Sequence, residues 1–328
     1  MVRFGLLGAG RIGKLHAGNI AASPKATLVA VADIDQAAAA TLAAVHGAAA
    51  RAPADIIAAD DIDAVLIGTS TDTHADYIEQ AVGAGKAVLC EKPVDLDARR
   101  IEACLKVVEK AGQPLMIGFN RRFDPNFAAL KRRIDDGAVG DVEMVTVISR
   151  DPGPPPISYI ERSGGLYRDM MIHDLDMARF LLGEEPVVVH AVGSVLVDPA
   201  IGKAGDVDTA MVMLRTASGK LCQISCSRRA TYGYDQRIEV HGSKGMIRAG
   251  NVHETTVELA GAGGFTADPV LNFFLERYTR AYQDELAAFI DAVENGTPTS
   301  PSGHDGLMAQ RLADAATESS QSGKPVAL

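Results

Sequence analysis

The chain lacks the features that would point to nucleic acid or to a membrane. It contains no tryptophan, aromatic residues make up only 5% of it, and its formal net charge is −10. A nucleic-acid surface needs a basic stripe and aromatic rings for base stacking, so this composition argues against one. No run of about 18 apolar residues exists, so no transmembrane helix is expected. The first residues form an apolar run followed by a glycine-rich turn, which leaves no room for a signal peptide.

Cysteine is also scarce. Cys90, Cys104, Cys222 and Cys226 form no CxxC pair and match no zinc-ligand spacing. Cys222 and Cys226 alternate with polar residues, as one buried face of a strand does. The sequence therefore predicts reduced, buried thiols in a cytoplasmic protein and no metal site.

What the chain does contain is an alternation of apolar and helical segments over its first 120 residues. Its 328 residues suggest about two domains. Wholly apolar strands that alternate with helices indicate a parallel sheet covered on both faces. The predicted strands cover residues 2–7, 27–32, 64–68, 87–90 and 114–118, and the predicted helices cover residues 12–22, 36–46, 74–83 and 97–111.

Beyond residue 120 the pattern changes to strands with few helices between them, which indicates an antiparallel sheet in an α+β domain. We predict domains at 1–120 and 121–328, with a proline-rich surface loop at 152–156. The predicted strands cover residues 142–149, 187–197, 207–216, 220–227, 236–241 and 246–249, and helices are predicted at 169–182, 282–294 and 305–319.

A glycine loop, Gly8-Ala9-Gly10-Arg11-Ile12-Gly13, follows the first strand and opens the first helix. Gly8 permits a tight turn, Gly10 lets the backbone approach a pyrophosphate, and Gly13 lets the helix pack closely on the strand. Arg11 would lie beside the pyrophosphate. The spacing indicates a dinucleotide-binding loop that uses Gly8, Gly10, Arg11, Ile12 and Gly13.

Asp33 ends the second strand, twenty residues after Gly13. A carboxylate there accepts hydrogen bonds from ribose hydroxyls and repels a 2′-phosphate, so NAD is expected rather than NADP. Two alternatives stay open. Asp33 could cap the next helix, or Asp35 could share the ribose role.

Further polar residues follow the predicted strands at their carboxyl ends, where ligands bind in parallel sheets. Lys92, in Glu91-Lys92-Pro93, is either a titratable group aimed into a site or a residue of a surface turn. Its peptide bond to Pro93 is a candidate for the cis form. Thr69 and Thr71 would lie near the nicotinamide ribose or would cap a helix. His74 is interpreted as structural or close to the cofactor, as is His16.

Asp169 and His173 are four residues apart, which on a helix puts them on one face. Such a carboxylate orients an imidazole and raises its pKa, giving a base for an alcohol proton. Alternatively, Asp169 is an N-cap and His173 an ordinary first-turn residue. Asp174 and Asp176 are expected on other faces, as solvated helix acids.

In their order along the chain, the glycine loop, Glu91-Lys92-Pro93 and Asp169-x-x-x-His173 resemble the Gfo/Idh/MocA family of NAD(P)-dependent oxidoreductases. The resemblance spans essentially the whole chain. It implies an α/β Rossmann domain that binds NAD, also through Glu91 and Lys92, and an α+β domain with an open-faced, mainly antiparallel sheet. It implies a catalytic Lys92 and a catalytic Asp169/His173 pair. A homo-oligomer, either a dimer or a tetramer, is also implied.

Further segments, at residues 117–124, 149–152, 164–176 and 232–235, resemble the branch of the family that oxidises inositols. The resemblance implies a small-molecule cyclic polyol as substrate, myo-inositol oxidised at C2 to scyllo-inosose. Another inositol isomer or a pyranose sugar is the alternative, and a non-catalytic dinucleotide-binding regulator is a second one. The residues implied to contact the polyol, besides Lys92, Asp169 and His173, are Asn120, Arg121, Arg122, Asp151, Tyr232 and Tyr234.

Overall fold

The structure is a computed structural model that describes all 328 residues, and they form two compact units. The first unit contains Met1–Asn120 and Tyr282–Gln310, and the second contains Arg121–Ala281 and Arg311–Leu328. The sequence interpretation assigned all of 121–328 to the second domain, whereas residues 282–310 group with the first unit. Phe289 packs its ring against Phe4, with centroids 6.0 Å apart, and burial of both rings ties this segment to the first sheet.

The first unit is built on a six-stranded parallel sheet in the order β3-β2-β1-β4-β5-β6. This order places the point where the chain reverses direction across the sheet between β1 and β4, which is where ligands bind in such folds. Its elements up to Asn120 are β1 (Val2–Leu7), α1 (Arg11–Ala22), β2 (Ala26–Ala32), α2 (Gln36–Val45), β3 (Ala49–Ala50), α3 (Pro53–Ala58), β4 (Ala64–Ile67), α4 (His74–Gly83), β5 (Ala87–Glu91), α5 (Ala98–Ala111) and β6 (Leu115–Gly118).

The strands β4 and β5 are buried along their whole length, as the unbroken apolar runs predicted. All the predicted strands and helices of this region are confirmed to within one residue of their bounds. The short β3 and α3 were not predicted, since two alanines and a six-residue helix carry no periodic pattern.

The second unit is built on a seven-stranded sheet in the order β12-β11-β7-β10-β9-β8-β15. Its elements up to Arg277 are α6 (Pro125–Asp135), β7 (Val142–Arg150), α7 (Ile157–Ser163), α8 (Ile172–Leu182), β8 (Pro186–Ser194), α9 (Pro199–Lys203), β9 (Thr209–Thr216), β10 (Leu221–Ser227), β11 (Asp235–Gly242), β12 (Gly245–Ala249), β13 (Glu258–Gly261), β14 (Gly264–Ala267) and α10 (Phe274–Arg277). The chain ends with α11 (Thr279–Asn295), α12 (Gly303–Ser322) and β15 (Val326–Ala327).

The predicted fold class is confirmed: a parallel α/β sheet in one unit and a mixed, mainly antiparallel sheet in the other. One pair departs from the antiparallel expectation, because β7 and β10 run parallel. Along β9 every second residue is buried, and the others, including Met211 and Met213, are exposed in this chain. The four cysteines are free and buried, as predicted. None of the helices combines the length and apolar composition needed to cross a membrane.

Candidate active site

Two glycines of the loop after β1 are required by the protein's own packing. Gly8 has a φ of +106°, and a Cβ there would lie 2.4 Å from the carbonyl oxygen of Gly68. A Cβ on Gly13 would lie 2.0 Å from the carbonyl oxygen of Gly8. The loop therefore closes tightly against the end of β4, and α1 starts directly beside it.

Gly10 differs, because a Cβ there would meet no protein atom within 4 Å and its φ is an ordinary −70°. Nothing in the chain requires glycine at this position. The open space lies at the N-terminus of α1, where unpaired backbone N–H groups and the helix dipole attract an anion. A dinucleotide pyrophosphate fits this arrangement. Arg11 and Ile12 are the first residues of α1, and Arg11 is exposed.

Asp33 lies against this loop. Its Oδ2 accepts a hydrogen bond from the Ala9 N–H at 2.6 Å, and its Oδ1 accepts one from the Asp35 N–H at 2.8 Å. The residue that caps α2 is Asp35, whose Oδ1 accepts from the Ala37 and Ala38 N–H groups. The alternative of Asp33 as the helix cap is therefore wrong. Its role toward a ribose remains a prediction.

At the end of β4, the hydroxyl groups of Thr69 and Thr73 lie 2.7 Å apart. Thr71 opens a single 3-10 turn, and α4 begins at His74 after Thr73, which makes no capping hydrogen bond. The alternative, in which Thr69 and Thr71 belong to a run that caps α4, is therefore wrong. His74 is buried, with Nδ1 2.8 Å from the Pro93 carbonyl oxygen. Burial lowers the pKa of His74, so its imidazole is neutral at pH 7.

Lys92 directly follows β5, and its peptide bond to Pro93 is cis. The preceding Glu91 is buried, and its Oε1 lies 2.7 Å from Nε2 of the buried His16. Lys92 is partly exposed and lies at a bend of the chain. Asn120, just beyond β6, is buried, and its Nδ2 has no hydrogen-bond partner. A buried donor of this kind needs water or a ligand. The carboxyl edge of the first sheet thus carries the predicted residues of this unit.

In the second unit, the parallel pairing of β7 and β10 brings two charged segments to the same end of the sheet. Ser227 pairs with Arg150, and the Asp151 N–H donates to the Ser227 carbonyl at 2.9 Å. Asp151 therefore lies next to Arg228. Burial raises the pKa of Asp151 to about 7, and the positive charges of Arg121 and Arg228 oppose this rise.

The predicted tyrosines lie at this sheet end too. The Tyr232 hydroxyl donates to Asp235 at 2.6 Å and accepts from Arg150 at 3.0 Å. Tyr234 is buried, with its ring edge-on to Tyr278 at 5.8 Å. Burial raises the pKa values of both Tyr234 and Tyr278, the latter to about 12, so both keep their protons at neutral pH.

Asp169 and His173 do not share one regular helix. Asp169 lies in a π-helical turn, Leu166–Met170, and α8 begins only at Ile172, so His173 is in its first turn. The N-cap is Met171, and the alternative of Asp169 as N-cap is therefore wrong. π-helical turns are rare and occur often at functional sites.

The carboxylate of Asp169 has two partners that sequence reasoning missed. Its Oδ1 accepts a hydrogen bond from the Tyr159 hydroxyl at 2.9 Å. Its Oδ2 lies 3.8 Å from Nη2 of Arg228, which lies at the same distance from Asp206. Arg228 is only 1% exposed, so its charge acts on Asp169 with little solvent screening. The one sequence signal for Arg228 is a cation directly after an alternating strand.

Arg121 and Arg122 have carboxylate partners within the second unit. Arg121 pairs with Asp174, and Arg122 donates through Nε to Asp176 at 2.8 Å. Asp174 and Asp176 are 0% and 1% exposed. Their prediction as solvated helix acids is wrong, because the buried guanidinium groups need counter-charges. Helix periodicity alone could not reveal this, since the partners come from a segment about fifty residues earlier.

The chain matches two family models, which together cover nearly all of it. Residues 2–119 match "Oxidoreductase family, NAD-binding Rossmann fold", and residues 131–328 match "Oxidoreductase family, C-terminal alpha/beta domain". The first match confirms the predicted NAD cofactor.

Similar proteins agree with these matches. The inositol 2-dehydrogenase of Rhizobium meliloti (strain 1021) is 60% identical over 97% of this chain and 96% of the relative. The myo-inositol 2-dehydrogenase of Thermotoga maritima is 46% identical over 100% of this chain and 98% of the relative. A crystal structure of scyllo-inositol dehydrogenase from Lactobacillus casei, with bound NAD(H) and scyllo-inositol, superposes with a TM-score of 0.93. It is 31% identical and covers 100% of this chain and 99% of that one. The chain therefore belongs to the Gfo/Idh/MocA family and is an NAD-dependent oxidoreductase.

Proposed function

We propose that this protein oxidises myo-inositol at C2 to scyllo-inosose with NAD. The observation that carries the proposal is the 60% identity, over 97% of the chain, to a protein named inositol 2-dehydrogenase. Lys92, Asp169 and His173 are all present, which a non-catalytic regulator would have no need to keep. Fold alone would not support an activity, so the proposal depends on these side chains.

His173 is proposed as the general base that takes the proton of the reacting hydroxyl. A histidine titrates near neutral pH, which suits proton transfer from an alcohol. NAD, when bound, accepts the hydride from the carbon that carries this hydroxyl. Asp169 is proposed to orient His173 and to stabilise the imidazolium. Its hydrogen bond from Tyr159 and the nearby charge of Arg228 support this, because both hold the carboxylate in a fixed position.

Lys92 is proposed to donate a hydrogen bond to the reacting oxygen. An ammonium group there stabilises the alkoxide character that develops as the proton leaves, and it lowers the pKa of the alcohol. The location of Lys92 at the carboxyl end of β5 supports this role, since ligands bind at that edge of parallel sheets.

The remaining hydroxyl groups of the polyol are proposed to contact Asn120, Asp151, Tyr232 and Tyr234. The unpartnered Nδ2 of Asn120 supports its inclusion. Arg121 is proposed to act on the polyol through its charge on Asp151. Arg122 donates hydrogen bonds from both Nε and Nη2 to Asp176 on α8. We therefore propose that Arg122 stabilises the position of α8 and does not contact the polyol directly.

The test is NADH formation by the purified protein with myo-, scyllo- and chiro-inositol and with glucose, with NADP in parallel. We expect the highest kcat/KM with myo-inositol and NAD. A preference for scyllo-inositol would assign the protein to that isomer, the substrate named for the Lactobacillus casei structure. Activity confined to NADP or to linear polyols would overturn the proposal, and binding of NAD without any turnover would favour a regulator.

Self-association as a dimer or tetramer is also proposed. The exposed apolar residues on the uncovered face of the second sheet, among them Met144, Met211, Met213 and Leu221, support it. Light scattering after size exclusion checks the oligomeric state, and a monomer at all concentrations would contradict it.

A further inference from the structure

Two buried histidines contact the residues on either side of Lys92. His16 is on α1 and His74 opens α4, and they are 1% and 2% exposed. His16 binds the residue before Lys92, and His74 binds the residue after it. Neither contact follows from the glycine loop or from the Glu91-Lys92-Pro93 motif.

On one side, Nε2 of His16 lies 2.7 Å from Oε1 of Glu91. Nδ1 of His16 has no hydrogen-bond partner, so Glu91 is the polar group that fixes the ring. Tyr282 packs edge-on against this ring at 5.6 Å. The Glu91 side chain crosses Gly118, where a Cβ would lie 3.1 Å from Oε2. Gly118 therefore leaves the space that the Glu91 carboxylate occupies.

On the other side, Nδ1 of His74 lies 2.8 Å from the Pro93 carbonyl oxygen, and Nε2 lies 3.1 Å from that of Thr69. A neutral imidazole has one N–H group, so it donates to one of these carbonyls. The ring lies between the segment that follows β4 and the segment that follows β5, and it contacts both. It thus ties the peptide that follows Lys92 to the neighbouring strand end.

A third titratable group completes the surroundings of Glu91. Glu285 on α11 is fully buried, and neither of its carboxyl oxygens makes a hydrogen bond. Burial and the charge of Glu91 raise the pKa of Glu285, so it stays protonated at neutral pH. His16 is thus the hydrogen-bond partner of the Glu91 carboxylate.

We propose that His16 and His74 are positioning residues for Lys92, and that each acts through the main chain beside it. His16 fixes Glu91, His74 fixes Pro93, and the ammonium group of Lys92 is held between them. This inference rests on the proposed function, in which Lys92 meets the reacting oxygen. It predicts a loss of kcat in the absence of either ring, because a displacement of about 1 Å in a reacting group can cost about 100-fold.

The test is a pair of double-mutant cycles in the full-length protein. His16→Ala and His74→Ala are each made in the natural chain and in a Lys92→Ala background, and kcat is measured with inositol and NAD. We expect each variant to lower kcat by about 100-fold in the natural chain and to lower it little further without Lys92. The dissociation constant of NAD should stay unchanged.

Conservative variants separate positioning from a general loss of structure. His16→Gln places an amide nitrogen near Nε2, and His74→Asn places one near Nδ1, so both should recover most of the lost kcat. His304 is exposed and lies in the same unit, and His304→Ala serves as the matched control with natural activity. Thermal unfolding of every variant identifies any that fails to fold.

Equal losses in both backgrounds would overturn the inference, as would a loss confined to NAD affinity or no loss at all. Failure of the proposed function appears differently, as a natural protein inactive on every inositol or as a fully active Lys92→Ala variant. In that event the acetylation rate of Lys92, followed by mass spectrometry, tests the positioning directly. A rate unchanged in His16→Ala and His74→Ala would sink it.

Discussion

The glycine loop of the first unit and the charged sheet end of the second are built in different ways. The loop uses consecutive residues, Gly8 to Gly13, and one carboxylate at the end of the next strand. The sheet end collects Arg121, Asp151, Asp169 and Arg228 from separate segments of the chain. A local motif shows its function in its spacing, whereas a cluster of buried charges exists only after strands and helices have paired.

The largest expected effect concerns the proposed catalytic residues. Lys92→Ala and His173→Ala should each lower kcat about 10³- to 10⁴-fold, because each removes a group that we propose to act on the reacting oxygen or its proton. NAD should bind both variants normally, which a fluorescence titration checks. Turnover close to that of the natural protein in either variant would remove that residue from the mechanism.

The next effect concerns the buried pairs of the second unit. Asp174→Ala leaves the buried charge of Arg121 without its closest partner and should cost about 3 to 5 kcal/mol of stability. Asp135→Ala is the matched control, since Asp135 is an exposed partner of Lys131 and should cost under about 1 kcal/mol. Urea unfolding measures both. Equal costs would mean that burial of the Arg121 pair does not matter.

Two glycines of the loop should respond in opposite ways. Gly13→Ala forces a Cβ against the Gly8 carbonyl and should cost about 3 kcal/mol of stability. Gly10→Ala meets no protein atom, so stability should change by less than about 0.5 kcal/mol while NAD affinity falls about tenfold. Thermal unfolding and NAD titration give the two readouts. Unchanged NAD affinity in Gly10→Ala would place the pyrophosphate elsewhere.

The smallest effect is a pH dependence at the sheet end. The pKa of Asp151 is raised from 3.8 to about 7, so the folded state favours the protonated acid. The stability that this group contributes is present below its unfolded pKa and is lost as pH rises through about 7. Between about pH 5 and about pH 8, the stability of Asp151→Asn relative to the natural chain should therefore rise by about 2 kcal/mol. This is less than the full pKa shift would give, because Asp151 is partly exposed. A difference that does not vary with pH would contradict this.

Some features of the fold and of the candidate site follow from the sequence, and others do not. The β5 strand, the lysine at its end and the glycine loop follow from apolar runs and turn chemistry, which act over a few residues. Asp174 and Asp176 were misplaced at the surface, because a helical pattern does not reveal partners on a distant segment. The charged partner of Asp169 was missed for the same reason, since Arg228 lies 59 positions further along the chain.

The candidate acid–base residues were implied by the family resemblance, whereas the sequence by itself determined the two kinds of sheet and the cofactor loop. Local spacing and strand hydrophobicity are sufficient for these features. The tertiary structure alone decided the parallel pairing of β7 with β10, the π-helical turn at Asp169 and the histidine contacts beside Lys92. Each of these depends on which distant groups satisfy one another's hydrogen bonds and charges once they are buried, and that choice is made only when the chain is folded.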